Sequence, residues 1–424
     1  MQMTAIQHFS FVAVSSIGVL IGGFVGHSVC RSEPQPSENA LFTVSHTRLA
    51  DLGGEHVAHA IYRRTPTGGA IVGWGERVLE WPLDKPVLRE IVPRINGTEY
   101  SNGGCALDID GDGTEEIVIA RGRSRSCADP ELFWFEQAGP DKPWREHLIG
   151  LVGKGNIAPH DIHPFAARRA DGDMVRGVVA VVDRRQLVWY QIPDDPEQRW
   201  PRHEIAELPQ KSQSGIAIGD LAGNGRSDVV CGMYWAECPA DPLSEPWKIR
   251  RFGHWEDGGW GGMAKLELAD MDGDGHLEIV ATEAEIPEAR LGIFSRDATR
   301  PDGLWKCREI GAGLHCPHSL VLADLDGDRR TDIVIGEMTA GGWSFPVNSR
   351  PRIIAYLNRG DRAFDQHVVA QGLGVHEMGL VPSRDRNARV LFAADEIQPQ
   401  KFPDMKTHVS TWRITARDAD PDGR

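Results

Sequence analysis

Short runs of apolar residues recur along the chain, separated by segments rich in Gly, Asp and Asn. Four of these runs are dominated by β-branched residues, at 117–119, 229–230, 279–280 and 333–335. Such runs, bounded by turn residues, are typical of β-strands. With 47 Gly and 27 Pro interrupting the pattern, the sequence predicts an all-β protein.

A loop of constant layout precedes each of the four runs. It places oxygen-bearing side chains at positions 1, 3, 5 and 9 of a Gly-bearing turn, and such units recur roughly every 50 residues, as four-stranded propeller blades do. Three loops have a carboxylate at all four positions, namely Asp108, Asp110, Asp112 and Glu116; Asp270, Asp272, Asp274 and Glu278; and Asp324, Asp326, Asp328 and Asp332. We expect the fourth loop, with Ala222 and Asn224 at positions 3 and 5, to bind an ion weakly or not at all.

The spacing of these carboxylates predicts structural Ca²⁺. This ion takes six to eight oxygen ligands, and the loop supplies four side chains and a backbone carbonyl. An EF-hand would also need a Glu at position 12, where the three loops have Ile119, Ala281 and Ile335. The flanking segments also have strand character, so the EF-hand interpretation fails.

The two ends of the repeat array predict how the ring closes. The last unit ends at Trp412 without an outer strand, and residues 42–49 have the character of that missing strand. An N-terminal strand that completes the last blade would remove the open edges of the ring. The prediction is a seven-bladed β-propeller over residues 35–414, followed by a disordered tail at 415–424.

Residues 1–34 are predicted to be a targeting segment. The uncharged apolar run at 9–26 suits either a signal peptide or a membrane anchor. The protein is then secreted, periplasmic or anchored on the extracytoplasmic side, with membrane attachment through the N-terminus as one alternative. The six cysteines after Cys30 fit disulfides or buried thiols. The net charge of −15 argues against a nucleic-acid partner.

Histidines recur at one register of the predicted ring. Counting back six residues from the start of each loop, or from the equivalent position in a blade without one, reaches the beginning of each innermost strand, where side chains face the central channel. The seven positions are His56, Asn102, His160, Ser214, Ala264, His318 and His376. Four imidazoles at one level predict a transition-metal site, for Zn²⁺ or Mn²⁺ with Mg²⁺ as an alternative, or a general base. The alternative interpretation is that each His only hydrogen-bonds the backbone at a strand end.

Further polar and aromatic residues are predicted at the rim of the channel. Glu283 and Glu337 share a register at the end of the second strand, where a carboxylate suits metal binding or sugar hydroxyls. Glu337 is predicted as a metal ligand. The predicted substrate-binding residues are His163, His315, Glu283, Trp260 and Trp343.

The loops followed by Ile-Val resemble FG-GAP/VCBS repeats over residues 41–414. The segments Pro159-His160-Asp161-Ile-His163-Pro, His315-Cys-Pro-His318 and Ile333-Val-Ile-Gly-Glu337-Met resemble the propeller domain of aldos-2-ulose dehydratase. That resemblance implies a secreted carbohydrate lyase in which a channel metal and a His base eliminate water beside a sugar ketone. It implies His160 and His318 as catalytic residues and a keto-sugar as the substrate, and the shared channel register adds His376 to the predicted catalytic residues.

Two other functions stay open from the sequence. The first is a propeller-type polysaccharide lyase, which would need a cation near the channel to neutralise a uronate; Lys154, Lys211 and Lys265 are the candidates. The second is a non-catalytic, calcium-dependent carbohydrate-binding or adhesion propeller, in which the channel histidines have no chemical role.

Overall fold

The computed structural model describes residues 41–416, with gaps at 53–54, 56, 86, 124–126, 140–141, 156–157, 210–213, 255–259, 261–263, 298, 301–302, 340–346, 384, 386 and 396–406. The regular structure of the described residues is 28 strands in seven four-stranded antiparallel sheets. The predicted targeting segment lies outside these residues, and within them no helix has the length and apolar character needed to cross a membrane.

Each sheet is one blade, and in the first six blades the strands lie in chain order from the channel outward, whereas the N-terminal strand is the outermost strand of the seventh. Blades one to three are β2 (Val57–Arg63), β3 (Ala70–Gly75), β4 (Val78–Pro82), β5 (Arg89–Val92); β6 (Thr98–Leu107), β7 (Glu116–Arg123), β8 (Ala128–Glu136), β9 (Arg145–Leu151); and β10 (Asp161–Arg168), β11 (Met174–Val182), β12 (Gln186–Gln191), β13 (Arg202–Glu207).

The remaining four blades repeat this order. They are β14 (Ile216–Gly219), β15 (Asp228–Cys231), β16 (Tyr234–Glu237), β17 (Lys248–Arg251); β18 (Ala264–Ala269), β19 (Glu278–Glu283), β20 (Ala289–Ser295), β21 (Lys306–Leu314); β22 (Ser319–Ala323), β23 (Asp332–Gly336), β24 (Arg352–Gly360), β25 (Ala363–Gln371); and β26 (Glu377–Val381), β27 (Ala388–Ala394), β28 (His408–Ala416) with β1 (Phe42–Asp51).

The innermost strands form a closed ring. β2 contacts β6, and the contacts continue through β10, β14, β18 and β22 to β26, which contacts β2 again. The predicted seven-bladed propeller is therefore confirmed. Because every blade places its first strand on the central axis, side chains at the beginnings of these strands are brought to one level of the channel.

The N-terminal strand closes the ring as predicted. β1 pairs antiparallel with β28, from Phe42 opposite Ala416 to Asp51 opposite His408. Phe42 is 1% exposed and lies in the core between the last two blades. β28 continues to Ala416, so the strand includes the first two residues of the segment predicted as a disordered tail.

Apolar side chains fill the spaces between neighbouring blades. Trp134 and Trp200 lie in the core between blades two and three, and Trp412 lies in the one between blades six and seven. The six described cysteines are free thiols, five of them buried. Of the two alternatives for these cysteines, the structure therefore favours buried thiols over disulfides. Burial raises the pKa of Cys127 to about 12, which keeps this thiol protonated.

Candidate metal site in the propeller channel

The beginnings of the innermost strands surround a cavity of about 330 Å³. This volume is at the lower end of the range for small-molecule sites. The charged and titratable side chains in its wall are His59, Tyr62, Cys105, Asp161, His163, Lys265, Glu267, His318 and Glu377. The cavity is therefore polar and lies where the sequence places the channel histidines.

Three side chains beside this cavity bring potential metal-ligating atoms together. His160 and His318 directly precede β10 and β22, and Glu285 follows β19. One ligand atom from each lies within 4.8 Å of the other two. His318 Nε2 is 3.5 Å from Glu285 Oε1, close to the separation of about 3.3 Å expected for two ligands of one tetrahedral metal with bonds of about 2 Å. Buried His160 Nε2 has no hydrogen-bond partner among the described residues.

Hydrogen bonds on the opposite side of each imidazole orient both histidines as ligands. His160 Nδ1 is 2.8 Å from Asp161 Oδ2, and His318 Nδ1 is 3.1 Å from the backbone carbonyl of His376. Each oxygen accepts a hydrogen bond from Nδ1–H, so each Nε2 keeps its lone pair. Burial opposes the charge of Asp161, but His160 and Lys265 hold the pKa of this carboxyl well below its usual range. Metal-binding histidines usually donate such a hydrogen bond from the nitrogen that does not bind the metal, which fixes the tautomer and the orientation of the ring.

A second group of ligating atoms overlaps the first. It consists of His318, His376 and Glu377. His318 Nδ1 is already engaged with the His376 carbonyl, and Glu377 Oε1 lies 2.8 Å from Lys265 Nζ and 3.3 Å from His59 Nδ1. The His376 ring stacks on His318 with centroids 4.0 Å apart and is 2% exposed. Because these atoms of His318 and Glu377 already have other partners, the second group is the weaker candidate for a metal site.

Lys265 links two of the three carboxylates in the cavity wall. Its Nζ is 2.8 Å from Glu377 Oε1 and 3.9 Å from Asp161 Oδ1. Burial opposes the charge of Lys265, but these carboxylates raise its pKa above the ordinary value. Burial also lowers the pKa of His163 to about 4, with a contribution from Lys265, so His163 is neutral at pH 7.

Glu285 is a candidate metal ligand that the sequence analysis did not identify. The residue predicted at this end of the strand was Glu283. Glu283 is 3% exposed and its carboxylate accepts hydrogen bonds from the backbone and the guanidinium of Arg290, so it does not lie on a solvated rim. The available signal was a second acidic residue just beyond β19. Register counting did not reach it, because side chains no longer alternate regularly once a strand has ended. Burial opposes ionisation of Glu285, yet His318 lowers its pKa to about 2.

Glu337 is not placed as a channel ligand, which corrects that prediction. It is 1% exposed, and Arg352 Nε donates to its Oε2 at 2.9 Å. Its Oε1 accepts a hydrogen bond of 3.0 Å from the backbone nitrogen of His315. Glu337 belongs to no group of three ligating atoms in the part of the chain that the structure describes. Its carboxylate is a structural anchor.

The predicted substrate-binding residues fall in different environments. His163 lines the cavity, whereas half-buried His315 does not. Trp260 is 5% exposed, packs against Phe294 and lies under the Arg290 guanidinium. The prediction that Trp260 binds substrate is therefore corrected, because the faces of its ring are used in packing between blades. His56 and Trp343 lie outside the described residues.

The three complete loops lie away from this cavity and share one geometry. Positions 1, 3 and 9 of each loop bring their carboxylates within 4.8 Å of one another. In the first loop, Asp108 accepts hydrogen bonds from Gly111 and Gly113, and Glu116 accepts one from Ile109. The position-5 residues Asp112, Asp274 and Asp328 instead accept from the position-7 nitrogens. Burial raises the pKa of Glu116 to about 7, with Asp110 contributing, because neighbouring carboxylates disfavour each other's ionisation.

Comparisons with known proteins support the architecture. No family model matches the chain, and no curated protein matches it. Among solved structures, the crystal structure of an ancestral GH74 enzyme is similar, with a TM-score of 0.53 and 10% sequence identity. The match covers 91% of this chain and 51% of that chain, so this chain spans about half the length of the GH74 enzyme. At this identity the likeness shows the fold alone. The protein belongs to the class of seven-bladed β-propellers.

Proposed function

We propose that the protein is a metal-dependent carbohydrate lyase that eliminates water from a keto-sugar. The observation that carries this proposal is the convergence of one ligand atom each from His160, His318 and Glu285 beside the polar cavity. Two imidazoles and one carboxylate suit Zn²⁺ or Mn²⁺. The likeness to a GH74 enzyme, a carbohydrate-active propeller, supports a carbohydrate ligand.

The residues around the cavity supply the chemistry of an elimination. The metal, when bound, acts as a Lewis acid that makes the hydrogen beside the sugar carbonyl more acidic. His59 is the general base of the proposal, because it lines the cavity and its Nδ1 lies 3.3 Å from Glu377 Oε1. The ring is also held 4.8 Å from that of Trp74. A carboxylate at one imidazole nitrogen favours proton uptake at the other.

His59 takes the base role that the sequence gave to other histidines. In the proposal His160 and His318 use their Nε2 atoms as ligands, and neither of these atoms is then available to accept a proton. His376 stacks on His318 and is not among the residues that line the cavity. A base must reach the proton it removes, so the cavity wall is the better position.

The charges of the cavity favour a neutral sugar over a uronate polymer. Lys265, the one described lysine in the cavity wall, is already matched by Glu377 and Asp161. Lys154 is exposed and does not line the cavity, and Lys211 lies outside the described residues. A polysaccharide lyase needs an uncommitted cation at its site, and within the described residues the cavity provides none. A keto-sugar has no such requirement.

We also propose that the three complete loops bind Ca²⁺ as structural ions. Their carboxylates at positions 1, 3 and 9 form compact groups, and hard oxygen ligands suit calcium. The fourth loop forms no such group among the described residues, in line with Ala222 at its third position. These ions would stabilise the blades and take no part in the elimination.

Metal analysis and turnover test the lyase proposal together. Protein purified with calcium and dialysed against Zn²⁺ or Mn²⁺ is expected to retain one equivalent of transition metal, measured by mass spectrometry. His318→Ala should lose that metal and also the formation of an ultraviolet-absorbing enone from keto-sugars. The exposed His276→Ala variant is the matched control and should retain both. Wild-type protein that holds no transition metal would instead favour the non-catalytic binding propeller.

A further inference from the structure

Strand β18 presents two ionisable side chains to the cavity. Lys265 and Glu267 are two residues apart, so they lie on the same face of the strand, and both line the cavity. Lys265 is paired with Glu377 and Asp161. Glu267 makes no hydrogen bond or ion pair with any residue that the structure describes. It is therefore an acid that faces the cavity without a fixed partner.

The other acids of this region have fixed partners. Asp161 accepts hydrogen bonds from His160 and from the backbone nitrogen of Gly215. Glu377 pairs with Lys265, and Glu285 faces His318. A proton donor must be free to face the substrate. Among the described acids of the cavity wall, Glu267 meets this condition.

The surroundings of Glu267 keep it in the form that can donate a proton. Burial raises its pKa to about 7, although Lys265 partly opposes the shift. The other titratable and charged groups that face the same cavity are His59, Tyr62, Cys105, Asp161, His163, Lys265, His318 and Glu377. Of these, Asp161, Lys265 and Glu377 are held charged by their pairing. An acid with a pKa near the working pH is well suited to general acid catalysis.

We propose that Glu267 is the general acid of the elimination and protonates the departing hydroxyl. This inference rests on the lyase function proposed above. His59 removes the proton from the carbon beside the carbonyl, and that C–H electron pair becomes the new C=C bond. The C–O bond to the next carbon breaks with its electron pair on oxygen. The Glu267 proton joins that oxygen, so one water leaves, and the proton on His59 returns to Glu267 through solvent.

The isosteric variant Glu267→Gln tests the assignment with two substrates. On a keto-sugar with a hydroxyl leaving group, we expect kcat to fall by about 10²–10⁴-fold, the usual contribution of a general acid. On the analogue with fluoride at that carbon, the loss should be less than about tenfold, because fluoride departs without a proton. Exchange of the hydrogen beside the carbonyl with deuterated water should continue at the wild-type rate, since it needs only the metal and the base.

The pH profile gives a second readout that a structural role would not change. Wild-type kcat on the hydroxyl substrate should decrease as pH rises through about 7, where Glu267 loses its proton. Glu267→Gln should lack this decrease. Glu267→Asp, which keeps an acid, should recover part of the activity, and the exposed Glu204→Gln variant should behave as wild type on both substrates.

The outcomes separate this inference from the function on which it rests. Equal losses for Glu267→Gln on the hydroxyl and fluoride substrates, or no loss on either, would overturn the role of Glu267 while the lyase function stands. A wild-type protein that neither exchanges the hydrogen nor eliminates water would overturn the lyase function and this inference with it.

Discussion

Replacing Asp161 tests the metal site without touching a ligand. Asp161 Oδ2 accepts hydrogen bonds from His160 Nδ1 at 2.8 Å and from the Gly215 nitrogen at 3.0 Å. Asp161→Ala removes both contacts, so the His160 ring is free to rotate or change tautomer. Loss of such a second-shell partner usually costs 10–100-fold in metal affinity, which is about 1.4–2.7 kcal/mol of binding free energy. The Gly215 nitrogen also loses its partner, at about 1–3 kcal/mol of folding stability.

Asp161→Asn separates hydrogen bonding from charge. With its oxygen in the Oδ2 position, Asn still accepts from both donors, so ring orientation is kept and only the negative charge beside His160 is lost. We therefore expect an affinity loss of about tenfold at most, smaller than for Asp161→Ala. The amide would face Lys265, which keeps its closer partner Glu377 at 2.8 Å.

Competition with a chromophoric chelator measures the affinity of both variants for Zn²⁺, and thermal unfolding with and without metal measures their stability. Asp194→Ala, on an exposed turn, is the matched control. We expect the affinity for Zn²⁺ to decrease from wild type to Asp161→Asn and further to Asp161→Ala. Wild-type zinc affinity in a folded Asp161→Ala protein would refute the orientation of His160 by Asp161 and weaken the metal-site assignment.

Three further predictions concern stability. Calcium chelation should lower the melting temperature, because an ion at 100 times its Kd contributes about 2.7 kcal/mol to stability. Asp110→Ala or Asp272→Ala should reproduce part of the loss. A melting temperature that does not depend on calcium would contradict the proposal that the loops bind Ca²⁺. Deleting residues 1–34 should leave a cooperative thermal transition, whereas deleting residues 1–52 should abolish it, because β28 then loses its partner strand β1. Equally cooperative transitions in the two proteins would contradict closure of the ring by β1. Burial lowers the pKa of His408 to about 4 in the folded protein, so on acidification the unfolded chain is protonated at this residue before the folded protein is. The free energy of unfolding should therefore fall by about 3 kcal/mol between pH 6.5 and 4. The His408→Gln variant should lack that share of the decrease in urea titrations.

Most of the fold was predictable because its signals are local and repeated. The loop spacing, the β-branched runs and the unpaired last blade each depend on a few neighbouring residues, and together they predict the blade count and the closure by β1. The position of His318 was also predictable, because it lies six residues before the first Asp of its loop. His160 and His376 lie in blades without such a loop, and the regular blade spacing predicts their equivalent positions. The ring brings His160, His318 and His376 to one level of the channel.

The roles of individual rim residues were less predictable from sequence. Glu283, Glu337 and Trp260 have the chemical types expected at a sugar site, yet each is buried. Glu283 and Glu337 pair with Arg290 and Arg352, which follow in the same blades, and Trp260 packs between blades. Pairing and packing partners depend on how strands twist and meet, which residue spacing does not encode.

The sequence by itself determined a ring of seven blades, its closing strand and the level at which histidines meet. Only the tertiary structure decided that Glu285 joins His160 and His318, that Lys265 is matched by two carboxylates, and that Glu267 faces the cavity without a fixed partner. The physical reason is the closed ring. It brings side chains from blades three, five, six and seven, as much as about 220 residues apart in sequence, to distances at which charge and hydrogen bonding act.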